Sequence, residues 1–94
     1  MPKTLYRAEN IALAMLLREL RESAGLLQAA LADRLGRSQT YVSNIEQAIR
    51  RLDLVELRDY CAALGVSLPD LIGQWEQRIG PTSRSRTSRA KAKA

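Results

Sequence analysis

Apolar side chains recur at helical spacing in five short segments of this chain. In the last segment they stand at positions i, i+3, i+4, i+7 and i+11, beginning at Leu68 and ending at Ile79. That spacing places them along one stripe of a helix. No segment shows the alternation of apolar and polar residues that is typical of a strand. The pattern therefore predicts an all-α fold.

Residues with known capping roles mark most of the helix ends. Ser38, Asp53 and Ser67 each stand where a side-chain oxygen can accept a backbone N–H of the helix that follows. Gly25, Gly36, Gly65 and Gly80 follow the last periodic residue of the first, second, fourth and fifth segments. The five predicted helices span about 8–24, 28–35, 39–47, 54–64 and 68–79. The predicted buried stripe of helix 1 consists of Leu13, Leu17, Leu20 and Ala24. That of helix 4 consists of Leu54, Leu57, Cys61 and Leu64.

Positive charge is concentrated at the C-terminal end of the chain. Residues 80–94 carry five basic side chains and no acidic one, whereas residues 1–79 carry ten of each. Residues 81–94 hold no apolar side chain larger than alanine, so they cannot bury enough surface to offset the entropy of ordering. We therefore predict a folded domain over 1–79 and a disordered basic tail over 80–94. The tail either solubilises the chain end or adds contacts to phosphate.

Composition excludes several function classes. The chain has no histidine and one cysteine, which removes the usual zinc sites and histidine-assisted nucleophiles. It has no glycine-rich phosphate loop, and its apolar runs fall well short of the ~20 residues of a membrane span. A single cysteine is typical of a reducing compartment. We expect a cytoplasmic protein that is not an enzyme, has no cofactor or metal and does not contact a membrane.

The second and third predicted helices are joined only by Gly36-Arg37-Ser38. Two short helices with a tight glycine-containing turn are typical of a helix-turn-helix, here over about 28–47. Small helical bundles contain the same spacing, so the turn alone does not establish the motif.

The wider sequence resembles the Xre/Cro family of helix-turn-helix DNA-binding domains, which includes the lambdoid phage repressors. The matching text is LRELRESAGLLQAALADRLGRSQTYVSNIEQAIRR, followed by LRDYCAALGVSLPDLI. The resemblance implies a five-helix, lambda-repressor-like fold whose third helix enters the major groove of DNA.

The resemblance also implies roles for single residues. Gln28 and Gln39 match a glutamine pair in which the first contacts phosphate and braces the second, which reads a base. The base-reading candidates on helix 3 are Gln39, Thr40 and Asn44. The expected phosphate contacts are Gln28, Arg37, Tyr41, Ser43, Arg50 and Arg51.

Arg21 and Glu46 match a family ion pair that ties helix 1 to the end of helix 3. The sequence departs from the family at two positions. Leu27 stands where a Ser or Thr cap is usual, and Ala48 stands where glycine is common. A positive φ at Ala48 would cost ~1–2 kcal/mol.

Partner contacts are expected on helix 5, over about 68–79. Ile72, Trp75 and Ile79 form either a local extension of the core or a dimer surface, a role that helix 5 often has in the family. Leu16 lies off the helix 1 stripe and is expected to be exposed in the same way.

The expected function is regulation of transcription by a homodimer on an inverted repeat of double-stranded DNA, with half-sites ~34 Å apart. The protein would be a repressor or autoregulator. A phage or mobile-element repressor, a restriction–modification controller and an antitoxin with a toxin partner all remain open. The alternative is a protein-interaction module that keeps the fold and lacks specific DNA binding. Single-strand binding through the tail is less favoured, because residues 1–79 offer few aromatic rings for base stacking.

Overall fold

The structure, a computed structural model, describes residues 7–80 and folds them into five α-helices. Their bounds are α1 (Ala8–Ser23), α2 (Gln28–Leu35), α3 (Gln39–Glu46), α4 (Leu54–Leu64) and α5 (Leu68–Ile79). No strand occurs within this range, which confirms the predicted all-α fold. None of these helices is long and apolar enough to cross a bilayer. Apart from Gly80, the predicted tail over 80–94 lies outside the described residues, so the domain boundary stays a prediction.

Three helices begin at the predicted capping side chains. The Oγ atoms of Ser38 and Ser67 each accept the N–H of the residue three positions on, at 3.2 and 3.1 Å. Asp53 and Glu56 form a reciprocal capping box at the start of α4, with N–H to carboxylate distances of 2.7 and 2.9 Å. Leu27 stands at the N-cap of α2 and supplies no side-chain acceptor. Of the two helices of the helix-turn-helix, α2 is therefore the one whose first-turn N–H groups have no side-chain acceptor at the N-cap.

An aliphatic core holds the helices together. Every helix supplies at least one side chain with less than 2% exposure, and these are Leu16, Leu17, Leu31, Val42, Tyr60, Cys61 and Leu71. The largest set of contacts between helices joins α2 to α3, while α1 packs on both α3 and α5. The core thus lies where the helix-turn-helix, the α1–α5 pair and α4 meet, and it helps to fix the orientation of α3.

Three sequence expectations about burial are wrong. Ala24 is exposed rather than inward, because α1 ends at Ser23 and Ala24 is its C-cap. Leu16 is 1% exposed rather than a surface residue, because α1 packs on α3 and α5 together and its buried face is wider than one stripe. Leu54 is 66% exposed rather than inward, because it is the first residue of α4 and the chain reaches the core only at Leu57. Tyr60, which the stripe of α4 left out, is fully buried.

The turn after α3 adopts the strained conformation that the sequence suggested. Ala48 has φ of +63°, in the left-handed region, and is 5% exposed. This geometry lets the N–H groups of Ile49 and Arg50 both donate to the carbonyl of Asn44, at 2.8 and 3.2 Å. The strain at Ala48 is therefore offset by two hydrogen bonds that end α3 and turn the chain toward α4.

We predict that Ala48→Gly stabilises the fold by up to about 1 kcal/mol. Glycine removes the ~1–2 kcal/mol cost of the left-handed conformation, less the extra entropy that it gives the unfolded chain. Urea denaturation at fixed protein concentration measures the change. The control is Ala62→Gly on the exposed side of α4, which should lose about 0.5–1 kcal/mol. Destabilisation by both substitutions would show that the buried Ala48 methyl group matters more than the strain.

Tyr60 should make the fold sensitive to alkaline pH. Burial, aided by the negative charge of Glu46, raises the pKa of its phenol above the ordinary value of 10.0. Because the folded state holds this proton more tightly than the unfolded state, the free energy of unfolding should fall as pH rises above about 10.

Tyr60→Phe tests this pH dependence. The hydroxyl has no hydrogen-bond partner within residues 7–80, so its removal at pH 7 should leave stability unchanged or raise it by about 1 kcal/mol. Denaturation curves between pH 8 and pH 11 should then show a shallower alkaline decline for the variant. An unchanged slope would contradict the role of Tyr60.

Candidate DNA-recognition surface

The turn between α2 and α3 exposes one face of α3. Gly36 ends α2 in the left-handed conformation at φ of +68°, and its N–H donates to the carbonyl of Asp33. Val42 and Ile45 bury the inner face of α3, while Gln39 and Thr40 are exposed at its start. The amphipathic pattern of α3 thus keeps its first turn open to solvent on one side of the molecule.

A buried ion pair joins α1 to the end of α3, as the resemblance implied. Arg21 Nε lies 2.6 Å from Glu46 Oε2, and Arg21 Nη2 lies 3.1 Å from Oε1. The side chains are 9% and 4% exposed. Arg21 Nη1 also donates to the carbonyl of Leu26 at 2.7 Å, and the Glu46 hydrogen bond raises the pKa of the guanidinium. The pair therefore holds α3 against both α1 and the segment that leads into α2.

The ion pair continues as a polar relay toward the exposed start of α3. Gln28 Nε2 donates to Glu46 Oε1 at 2.9 Å, and Gln39 Nε2 donates to Gln28 Oε1 at 3.3 Å. Because an ionised carboxylate only accepts hydrogen bonds, it turns the nitrogen of Gln28 toward itself and the oxygen toward Gln39. The Oε1 atom and the second N–H of Gln39 are then left to face outward. The predicted glutamine pair is brought together, and its amide orientations follow from the buried charge.

The structure also assembles Arg37, Tyr41 and Arg50 into what we call the cation cluster. The guanidinium carbons of Arg37 and Arg50 lie 4.4 and 4.9 Å from the centre of the Tyr41 ring. These are cation–π distances. Glu56 borders the cluster, with its Oε2 atom 2.8 Å from Arg50 Nη2. Three of the predicted phosphate contacts therefore form one patch beside α3.

The other predicted contact residues are more dispersed. Asn44 and Ser43 are half-buried on α3, and Ser43 Oγ accepts a hydrogen bond from Gln47 at 2.7 Å. Arg51 is exposed in the loop before α4, and its carbonyl accepts a hydrogen bond from Arg50 Nη1 at 3.5 Å. Arg51 also lines a groove.

That groove, of about 410 Å³, lies between the start of α1, the loop before α4 and the end of α5. Trp75 and Ile79 line it, and both are half-buried. Trp75 Nε1 donates to the carbonyl of Glu9 at 2.9 Å, and both Nη atoms of Arg78 donate to the Glu19 carboxylate. These contacts clamp α5 on α1, so part of the predicted dimer surface extends the local core.

Sequence reasoning missed two exposed apolar residues at the start of α4. Leu54 and Val55 are 66% and 71% exposed. Val55 lies off the predicted stripe of α4, whereas the helical spacing gave no sign that Leu54 would be exposed. They add to the apolar surface that a partner could cover.

A comparison with protein families matches residues 12–75, over two thirds of the chain, to the helix-turn-helix domain. The chain belongs to the helix-turn-helix family. No curated protein matches this helix-turn-helix chain.

Solved structures place the helix-turn-helix chain within the XRE group. An XRE-family-like protein from Pseudomonas syringae pv. tomato is 42% identical, with a TM-score of 0.73, over 83% of this chain and 95% of that one. A restriction–modification controller protein from Aeromonas hydrophila is 32% identical, with a TM-score of 0.65, over 69% and 98%. Another controller, a tetramer in complex with its natural 35 base-pair operator, is 23% identical, with a TM-score of 0.72, over 78% and 96%. At that identity it supports the fold alone.

Family membership and the exposed third helix agree on the broad activity. The helix-turn-helix protein is a DNA-binding regulator of transcription and not an enzyme. Within residues 7–80, no group of three or more metal-ligating side chains is close enough to hold a metal ion.

We predict that Arg21→Met destabilises this helix-turn-helix domain by about 3–5 kcal/mol, because it leaves the Glu46 carboxylate buried without its partner. Arg18→Met is the matched control on the same helix, since Arg18 and Glu22 form a solvent-exposed ion pair at 3.1 Å. It should cost less than about 1 kcal/mol. Chemical denaturation measures both, and equal losses would refute a special role for the buried pair.

Proposed function

We propose that this protein binds a short inverted repeat of double-stranded DNA as a homodimer and represses transcription by occluding a promoter. In the proposed complex α3 lies in the major groove, and the two half-sites are ~34 Å apart. The single observation that carries the proposal is the relay that fixes Gln39. It presents an oriented amide on the one exposed face of the helix that the family uses for recognition.

The oriented amide of Gln39 suits adenine. One N–H is donated to Gln28, so the Oε1 atom and the other N–H remain for a base. An amide can accept from N6 and donate to N7 of adenine at the same time. Thr40, exposed beside Gln39, and Asn44, one turn further along α3, are the other proposed base contacts.

The proposed phosphate contacts surround this face. The cation cluster lies beside α3, and its two guanidinium groups can donate to phosphate oxygens. Gln28 keeps a second N–H, and Ser43 and Arg51 are reachable from the same side in the family pose. Leu27 leaves the first turn of α2 without a side-chain cap, which suits a phosphate that accepts those N–H groups.

The proposed dimer uses the apolar surface around α5. Ile72, Trp75 and Ile79 are the half-buried members, and we add the exposed Leu54 and Val55 of α4. The 32% identical controller favours restriction–modification control among the three biological roles that the sequence leaves open. The operator-bound tetramer of the other controller is a precedent for assembly on DNA.

Selection from a pool of random duplexes, with sequencing of the bound fraction, tests the proposal. The full chain and a 1–79 truncation should both enrich the same inverted repeat across ~50–200 mM salt. The truncation should lower the dependence of affinity on salt, by about 0.9 in slope for each tail charge that contacts DNA. Binding that needs the tail and enriches no sequence would overturn the proposal and favour an interaction module.

We predict that Gln39→Ala weakens binding to the enriched site by about 1–3 kcal/mol and relaxes the preference at one base pair. The exposed Gln77 of α5 provides the matched control. Gln77→Ala removes the same amide from a position outside the proposed DNA surface, on the face of α5 opposite Trp75 and Ile79. Fluorescence anisotropy with the enriched duplex and its single-base variants measures both effects. Equal affinities for all the variants would remove Gln39 from base recognition.

A further inference from the structure

One carboxylate lies among the arginines that are proposed to bind phosphate. Glu56 Oε2 is 2.8 Å from Arg50 Nη2 and 3.9 Å from Arg37 Nη2. The Glu56 side chain is less exposed than that of either arginine. A carboxylate between two guanidinium groups has the charge and the hydrogen-bonding pattern that a DNA phosphate would have in the same place.

Glu56 is held in position by the start of α4. Its Oε1 atom accepts the N–H of Asp53 at 2.9 Å, as the second half of the capping box. Both arginines also contact the Tyr41 ring. The Glu56 carboxylate is therefore fixed to the first turn of α4, while the side chains of Arg37 and Arg50 extend to the surface.

We propose that Glu56 is an internal anion that competes with DNA phosphate for Arg50 and Arg37, and thereby limits binding to DNA of arbitrary sequence. The inference rests on the proposed function, in which these arginines contact phosphate. Phosphate contacts add affinity that does not depend on sequence. A competing carboxylate lowers that part of the affinity and leaves the base contacts of α3 unchanged, so it raises the specificity ratio.

The same geometry has an opposite interpretation, and the sign of one measurement separates the two. If Glu56 chiefly holds the arginines ready for DNA, its neutralisation lowers affinity for every duplex. If it competes with phosphate, neutralisation raises affinity, and most for duplexes without the recognised site.

Glu56→Gln is the test variant, because glutamine at this capping-box position can still accept the Asp53 N–H and keep α4 folded. The matched control is Glu22→Gln, which makes the same change of charge, releases Arg18 on α1 and removes a 3.9 Å contact to Arg21 while leaving the Arg21–Glu46 pair in place. Anisotropy of the full chain is measured on a random-sequence duplex and on the enriched duplex, between ~50 and ~200 mM salt. Unfolding midpoints check that both variants fold.

For Glu56→Gln we expect affinity for the random duplex to rise about 3- to 10-fold at low salt, with a salt slope steeper by about 0.9 for each arginine released. Affinity for the enriched site should rise less, so that the ratio between the two falls. In an Arg50→Ala background the gain should drop by more than half.

Three results would overturn the inference: a lower affinity for random DNA, a change no larger than that of Glu22→Gln, or a gain that persists without Arg50. Each of these leaves the proposed function intact if the unsubstituted chain still enriches its inverted repeat. A chain that shows no salt-dependent affinity for any duplex would overturn both.

Discussion

The pairing of Arg21 with Glu46 is the interaction on which the rest of the recognition surface depends. A carboxylate that is 4% exposed needs a cation and further donors, and Glu46 has Arg21 and Gln28. Such pairs are weak sources of net stability, but each partner is costly to lose. Such a pair lowers the free energy of the one arrangement of α1 and α3 that keeps both partners in contact, relative to arrangements that separate them. Together with the core contacts of Val42 and Ile45, that requirement sets the orientation of α3.

The buried charge also determines chemistry at the surface. Glu46 accepts from Gln28, Gln28 accepts from Gln39, and each step fixes which end of an amide points outward. An exposed glutamine by itself would sample several rotamers and present either amide end. Here a group beneath the surface selects one presentation. A side chain that is almost fully buried can thus determine which amide atoms an exposed side chain presents to solvent.

The sequence predicts those features whose causes are local or whose partners have a characteristic spacing. The N-termini of α3, α4 and α5 were predictable, because the N-caps Ser38, Asp53 and Ser67 each bond an N–H three residues further on. The Arg21–Glu46 and Gln28–Gln39 pairs were predictable because a family pattern gives the partners. The burial of Leu16 and the exposure of Leu54 were not, since the width of a buried face depends on how many helices pack against it. The role of Glu56 beside Arg50 was equally hidden, because it depends on the path of the loop between them.

That loop path begins at the one position where the backbone adopts a conformation unfavourable for its residue. The left-handed turn at Ala48 lets the N–H groups of Ile49 and Arg50 converge on the carbonyl of Asn44. This turn reverses the chain and brings the Arg50 side chain back over the Tyr41 ring, within reach of Glu56. The strained backbone at Ala48 therefore places the Arg50 guanidinium beside α3, next to Glu56. In the proposed complex, the strained turn, the buried ion pair and the Glu56 carboxylate together determine which groups α3 and the cation cluster offer to DNA.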